Sequence, residues 1–97
     1  MSRTILIAED EPYIVESLTF LLEREGYTVV SAVDGAYTLR KLRGRKPALL
    51  ILDVMMRVHT GFEVLRMLRA DPETAATRVL MLTAKGQDAD RQLAMKL

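Results

Sequence analysis

Two patterns alternate along the whole chain, and that alternation restricts the fold more than any other feature. Thr4–Ala8 (TILIA), Thr28–Ala32 (TVVSA), residues 49–52 (LLIL) and residues 79–83 (VLMLT) are short runs of apolar or β-branched residues. Between them lie segments with helical spacing. Residues 12–25 carry Ile14, Leu18, Leu21 and Leu22 on one face, with Pro12 at a first helical position and Gly26 just past the end. Residues 36–43 place Leu39 and Leu42 together before Gly44 and Pro47. Residues 62–69 bring Phe62, Leu65 and Leu68 to successive turns, behind a capping box of Thr60 and Glu63 and ahead of Asp71-Pro72. Residues 88–97 begin a fourth helix. Short buried strands alternating with helices mean a parallel sheet covered on both faces and wound with right-handed crossovers.

Ninety-seven residues fit one domain, residues 1–97, and 49% apolar with 28% charged residues is the balance of an ordinary soluble globular protein. Without Cys there is neither a disulfide framework nor a thiolate metal site. No run approaches the roughly 18 apolar residues of a membrane span, so a cytoplasmic protein is expected. A net charge of +1 points to no class of partner.

The architecture locates the chemistry. Ligands of open α/β sheets bind beyond the carboxyl ends of the strands. Those ends carry Glu9, Asp10 and Glu11 after the first strand, Asp53 after the third and Thr83 after the fourth. Asp53 is the anomaly, a carboxylate closing the most apolar segment of the chain, where its desolvation must be compensated. Two carboxylates about 5 Å apart at an effective dielectric of about 20 repel by roughly 3 kcal/mol, and a third multiplies the cost. Oxygen ligands without His or Cys favour a hard ion, and Mg²⁺ is commonly held by one or two carboxylates, waters and phosphate oxygens. Asp53 would then be a nucleophile toward a phosphoryl group, with catalysis mostly positioning and charge neutralisation.

Three stretches in this order, ILIAEDEP, LLILDVMM…GFEVL and VLMLTAK, resemble the receiver domain of two-component response regulators over the whole chain. The resemblance implies a doubly wound, flavodoxin-like sheet, with four strands in the order 2-1-3-4 out of the usual five. It makes Asp53 the phosphoacceptor, Asp10 a direct Mg²⁺ ligand and Glu9 an acid acting through metal-bound water. The backbone carbonyl of Met55 becomes a further ligand, and the Thr83 hydroxyl a phosphoryl contact and switch. The implied donor is a phosphohistidine on a sensor histidine kinase or phosphotransfer protein. Neither a membrane nor direct nucleic-acid contact is expected of this domain, which is a signalling module and not an enzyme.

Two departures from the family pattern stand out. Arg57 and Val58 replace a turn-forming Pro-Gly pair, while Thr60 for Asp is benign because both cap helices well. The chain also ends at Leu97, before the family's fifth strand, its Lys and its last helix, and Lys85 lies too early to replace that Lys. A truncated domain of this kind exposes the edge of its fourth strand, so self-association through that edge or a rearranged fourth helix is expected.

Blander readings apply elsewhere. Arg40, Lys41, Arg43, Arg45 and Lys46 read as a solvated basic face, His59 as a solvent-facing loop residue, and the methionines as core filler. Two other functions compete. A receiver that binds partners without phosphorylation would fit the missing tail and altered loop. A hydrolase of the haloacid-dehalogenase-like kind would need a second Asp where Met55 stands.

Overall fold

The computed structural model describes residues 3–56, 58–82 and 93–96. Along the chain run β1 (Thr4–Ala8), α1 (Pro12–Arg24), β2 (Thr28–Ala32), α2 (Gly35–Arg45), β3 (Leu49–Asp53), α3 (Gly61–Ala70), β4 (Val79–Leu82) and β5 (Leu93–Lys96). The sheet order is β2-β1-β3-β4-β5. The first four strands are parallel in the order 2-1-3-4, as the sequence and its resemblance lead one to expect.

Strand alternation sorts the apolar residues onto two faces. Ile5, Ile7 and Ile51 pack with Val15, Leu18 and Leu22 of α1. Leu6, Ala8, Leu50, Leu52 and Met81 turn the other way, toward Leu42 of α2 and Val64 and Leu68 of α3. Both faces of β1 and β3 are therefore covered, which explains why these two strands read as unbroken apolar runs.

Helix ends follow local chemistry. Gly26 takes φ +96° after α1, and the amide of Tyr27 returns to the Leu22 carbonyl at 3.1 Å, a left-handed stop that glycine adopts without a Cβ penalty. Gly44 is not the stop of α2. That helix runs on to Arg45, and Lys46 takes the left-handed position at φ 48°, its amide bonding the Leu42 carbonyl ahead of Pro47. The capping box of α3 forms as its sequence predicts, Glu63 N–H donating to Thr60 Oγ1 at 3.1 Å and Thr60 N–H to Glu63 Oε1 at 2.7 Å.

The helix expected over residues 88–97 is corrected at Leu93–Lys96, which form a strand antiparallel to β4, with Val79 opposite Lys96 and Leu82 opposite Leu93. The fourth-strand edge is thus not exposed as expected, because this segment of the same chain pairs with it. Backbone N–H and C=O groups along a strand edge require partners, and that requirement outweighs the segment's local helical preference. No helix among the described residues is long and apolar enough to cross a membrane.

Candidate functional site

The strand period brings two acids together. In the β1–β3 register Ala8 faces Leu52, so the next residues, Glu9 and Asp53, continue the rows of Ile5, Ile7 and Ile51 on one face of the sheet. Both side chains are fully buried, and Asp10 is half-buried beside them. One carboxylate oxygen from each of Glu9, Asp10 and Asp53 lies within 4.8 Å of the others. Two adjacent acids and a third more than forty positions away in sequence are thus one cluster.

Main-chain bonds hold the cluster in place. The Glu9 amide donates to the Ala32 carbonyl at 3.0 Å, tying the exit of β1 to β2, and the Glu11 amide donates to Glu9 Oε2 at 3.0 Å. The Met55 amide donates to Asp53 Oδ1 at 3.2 Å, which fixes the plane of that carboxylate. Leu82 stands opposite Asp53 in the β3–β4 register and accepts from the Val54 amide at 2.9 Å.

The donor set suits a hard divalent cation. It is all oxygen, two of its three acids are buried, and its mutual repulsion falls when positive charge enters. The Met55 residue lies within reach of Asp53 through its backbone, as the hydrogen bond to its amide records. Thr83, Lys85 and Arg57 fall outside the described residues.

His59 is corrected. It is only partly exposed, and one side of its ring packs over the start of α2, where a Cβ built on Gly35 would lie 2.9 Å from Nδ1. That nitrogen is buried and makes no hydrogen bond among the described residues. The basic run is largely as read: Arg40, Arg43, Arg45 and Lys46 are exposed, with Arg43 paired to Asp71 at 2.8 Å.

Two residues beyond the acids shape the site; sequence reasoning missed the first and singled out the second only as part of a replaced turn pair. Gly61 is one, because a Cβ there would collide with the Asp53 carbonyl and sit 2.8 Å from Val54 Cα. Only its place at the head of a helix, directly after the acid loop, hints at this. Val58 is the other, held at φ 70° in a conformation that β-branched residues avoid. Its signal was the replaced Pro-Gly pair, since a glycine in that turn would take a positive φ without strain.

Comparison with known proteins matches this geometry. The response regulator receiver domain pattern fits residues 5–97. The alkaline phosphatase synthesis transcriptional regulatory protein PhoP of Bacillus subtilis is 41% identical over 97 residues, which are all of this chain but 40% of that protein. The N-terminal domain of a response regulator receiver protein from Methanoculleus marisnigri JR1 superposes with a TM-score of 0.82 at 41% identity, covering 88% of this chain and 69% of that one. The receiver domain of a sensor histidine kinase from Pseudomonas aeruginosa PAO1, solved with magnesium coordinated in its active-site cleft, gives a TM-score of 0.83 at 25% identity, covering 94% and 75%. With its sheet order and its acid cluster at the same strand ends that the sequence motifs mark, the chain belongs to the response regulator receiver domain family of two-component systems.

Proposed function

We propose that this domain accepts a phosphoryl group on Asp53 from the phosphohistidine of a sensor histidine kinase or phosphotransfer protein, with Mg²⁺ in the acid cluster. The observation that carries the reading is the convergence of Glu9, Asp10 and Asp53 to within 4.8 Å. The magnesium in the cleft of the related Pseudomonas receiver supports the same choice of ion. Asp10 and Asp53 would hold it directly, Glu9 through a water, and Met55 through its backbone carbonyl, with Thr83 reserved for the phosphoryl oxygens. When bound, Mg²⁺ supplies charge neutralisation for the acids and for the incoming phosphoryl oxygens.

The chain's own residues supply position. The Met55 N–H orients the Asp53 carboxylate, and the packing of β3 keeps it from turning away. One Asp53 oxygen forms the new O–P bond while the donor's N–P bond breaks. The electron pair of that bond leaves with the imidazole nitrogen. A carboxylate nucleophile with no acid/base partner two residues on, where Met55 stands, suits a signalling phosphoacceptor rather than a hydrolase.

A cytoplasmic setting belongs to this reading, because the donors are kinases of two-component signalling. So does self-association, whose route would be the outer edge of β5, the last strand of the described sheet. Sedimentation giving a monomer at every concentration would overturn that part.

The decisive experiment is labelling with acetyl phosphate. An acid-stable, base-labile phosphate should form, require Mg²⁺ and vanish in Asp53→Asn. Labelling that persists in that variant, or none at all in the wild type, rejects the proposal and leaves a phosphorylation-independent binding module in its place.

A further inference from the structure

β2 is the outermost strand on one side of the described sheet, and its far edge faces away from every other strand of that sheet. The parallel ladder with β1 decides which backbone groups lie on that edge. The Thr28 amide donates to the Arg3 carbonyl at 2.8 Å, and the Ala32 carbonyl accepts from the Glu9 amide at 3.0 Å. Thr28, Val30 and Ala32 therefore turn their groups toward β1. Strand alternation then turns the N–H and C=O of Val29 and Ser31 outward.

Most of the usual protections against pairing are missing there. Thr28–Ala32 (TVVSA) carries no charge and no proline, and its register with β1 runs without a bulge. Its β-branched residues suit a sheet. The guard comes from α2. Lys41 Nζ donates to the Ser31 carbonyl at 3.2 Å, and the same ammonium stands 4.9 Å from the centre of the Tyr37 ring. Held between an aromatic face and a strand carbonyl, Lys41 is half-buried, while Arg40, Arg43, Arg45 and Lys46 of the same basic run are exposed.

The edge is complementary to itself. In an antiparallel pairing about a two-fold axis at Val30, Val29 of each copy faces Ser31 of the other, and the pair exchanges both of its N–H···O=C bonds. Val30 then meets its own counterpart across the axis, a β-branched pair of the kind that stabilises sheets. The Ser31 carbonyl that would accept from Val29 of the second copy is the one that Lys41 occupies. Pairing would also bring two ammonium groups to neighbouring positions along one seam, where like charges repel.

We propose that the outer edge of β2 is a pairing surface for β2 of a second copy of this chain, and that Lys41 keeps it closed. Removing the Lys41 ammonium opens the edge, and the sheets of two copies join into one. This surface lies at the opposite end of the sheet from β5 and does not depend on Asp53 being the phosphoacceptor. It also gives Lys41 a role that the rest of the basic run does not share.

The test compares the whole chain with Lys41→Met and Lys41→Arg by sedimentation over a range of concentrations. Methionine keeps the unbranched side chain and its helix preference but neither the charge nor the donor. Arginine keeps both and should behave as the wild type does. Lys41→Met should strengthen association by about tenfold or more, because the competing bond and the like-charge repulsion are both gone. Hydrogen exchange locates the contact. In the wild type the outward Val29 and Ser31 amides should exchange faster than the Val30 amide, which faces β1. In associated Lys41→Met they should become as slow as Val30. A Lys41→Met chain that sediments as the wild type does at every concentration overturns the proposal. So does association in which Val29 and Ser31 still exchange quickly, since another surface, such as the β5 edge, then carries it.

Discussion

Gly61 and Val54 meet backbone to backbone: the Gly61 amide donates to the Val54 carbonyl at 2.7 Å, and a Cβ on Gly61 would stand 2.8 Å from Val54 Cα. The start of α3 is thereby pressed onto the residue that follows Asp53. Any side chain at 61 must push the helix away from the end of β3, and backbone atoms cannot rotate aside. Gly61→Ala should therefore destabilise by at least the 1–3 kcal/mol or so typical of overpacking, although alanine is the better helix former. Thermal or urea unfolding checks this, and a variant as stable as the wild type would refute the close approach.

Val58 makes the opposite case. A residue with a Cβ incurs roughly 1–2 kcal/mol in the left-handed region, and glycine does not, although its freer unfolded chain returns about half of that. Val58→Gly should stabilise the domain by about 0.5–1 kcal/mol, a rise of a few degrees in Tm. A fall in Tm would mean that Val58 gains packing that outweighs its backbone strain.

Gly61 also marks where sequence reading stopped. Short apolar runs foretold that β1 and β3 are buried, and parallel winding placed Glu9, Asp10 and Asp53 at one sheet edge, because run length and the alternation of strands with helices are encoded locally. The capping box at Thr60 was legible for the same reason. The approach of Gly61 to Asp53 was not, since it depends on how a loop folds back across space. The end of α2 was misjudged at Gly44 because a glycine inside a helix and a glycine stopping one look alike without tertiary context. Leu93–Lys96 has a helical composition, yet pairs with β4 because the strand edge offers hydrogen bonds that no local pattern announces.

Arg43 and Asp71 join α2 to the end of α3 at 2.8 Å, and the Glu73 amide donates to the other Asp71 oxygen at 3.0 Å. The Glu73 amide first, and then the Arg43 guanidinium, hold the Asp71 carboxyl below its ordinary range. A depressed folded value means that the stabilisation is fully present above the unfolded value and is lost as pH falls through the folded one. Asp71→Asn should thus be less stable than the wild type at neutral pH, and the gap should close in strong acid. Melting curves of the two proteins across the acid range measure it. Because the pair is exposed, added salt should narrow the gap at neutral pH as well.

Thr60 tests how the loop after Asp53 is held. Its hydroxyl accepts from the Glu63 amide, and Glu63 reaches back to the Thr60 amide, so two backbone donors at the head of α3 are satisfied. Thr60→Ala should cost about 1 kcal/mol, whereas Thr60→Asp should cost close to nothing because Asp caps equally well. Equal losses in the two variants would show that the hydroxyl matters for something other than the cap.

The strongest consequence of the acid cluster is that its members should oppose folding when no cation is present. Asp53 is fully buried, and its Oδ1 takes the Met55 amide, an acceptor that asparagine can reproduce. Asp53→Asn therefore removes one negative charge from the neighbourhood of Glu9 and Asp10 without removing that bond. Pairwise repulsion of roughly 3 kcal/mol at about 5 Å, reduced by solvent and relaxation, leaves an expected gain of about 1–2 kcal/mol in chelator-treated protein. Added Mg²⁺ should reverse the order. Binding to the folded state alone stabilises the wild type by about 2.7 kcal/mol at a hundredfold excess over Kd, and the variant should respond far less. Melts of both proteins in EDTA and in Mg²⁺ distinguish the outcomes. A variant less stable than the wild type in EDTA would mean that Asp53 does not strain the apo cluster, and one that gains as much from Mg²⁺ would mean that it does not serve the ion.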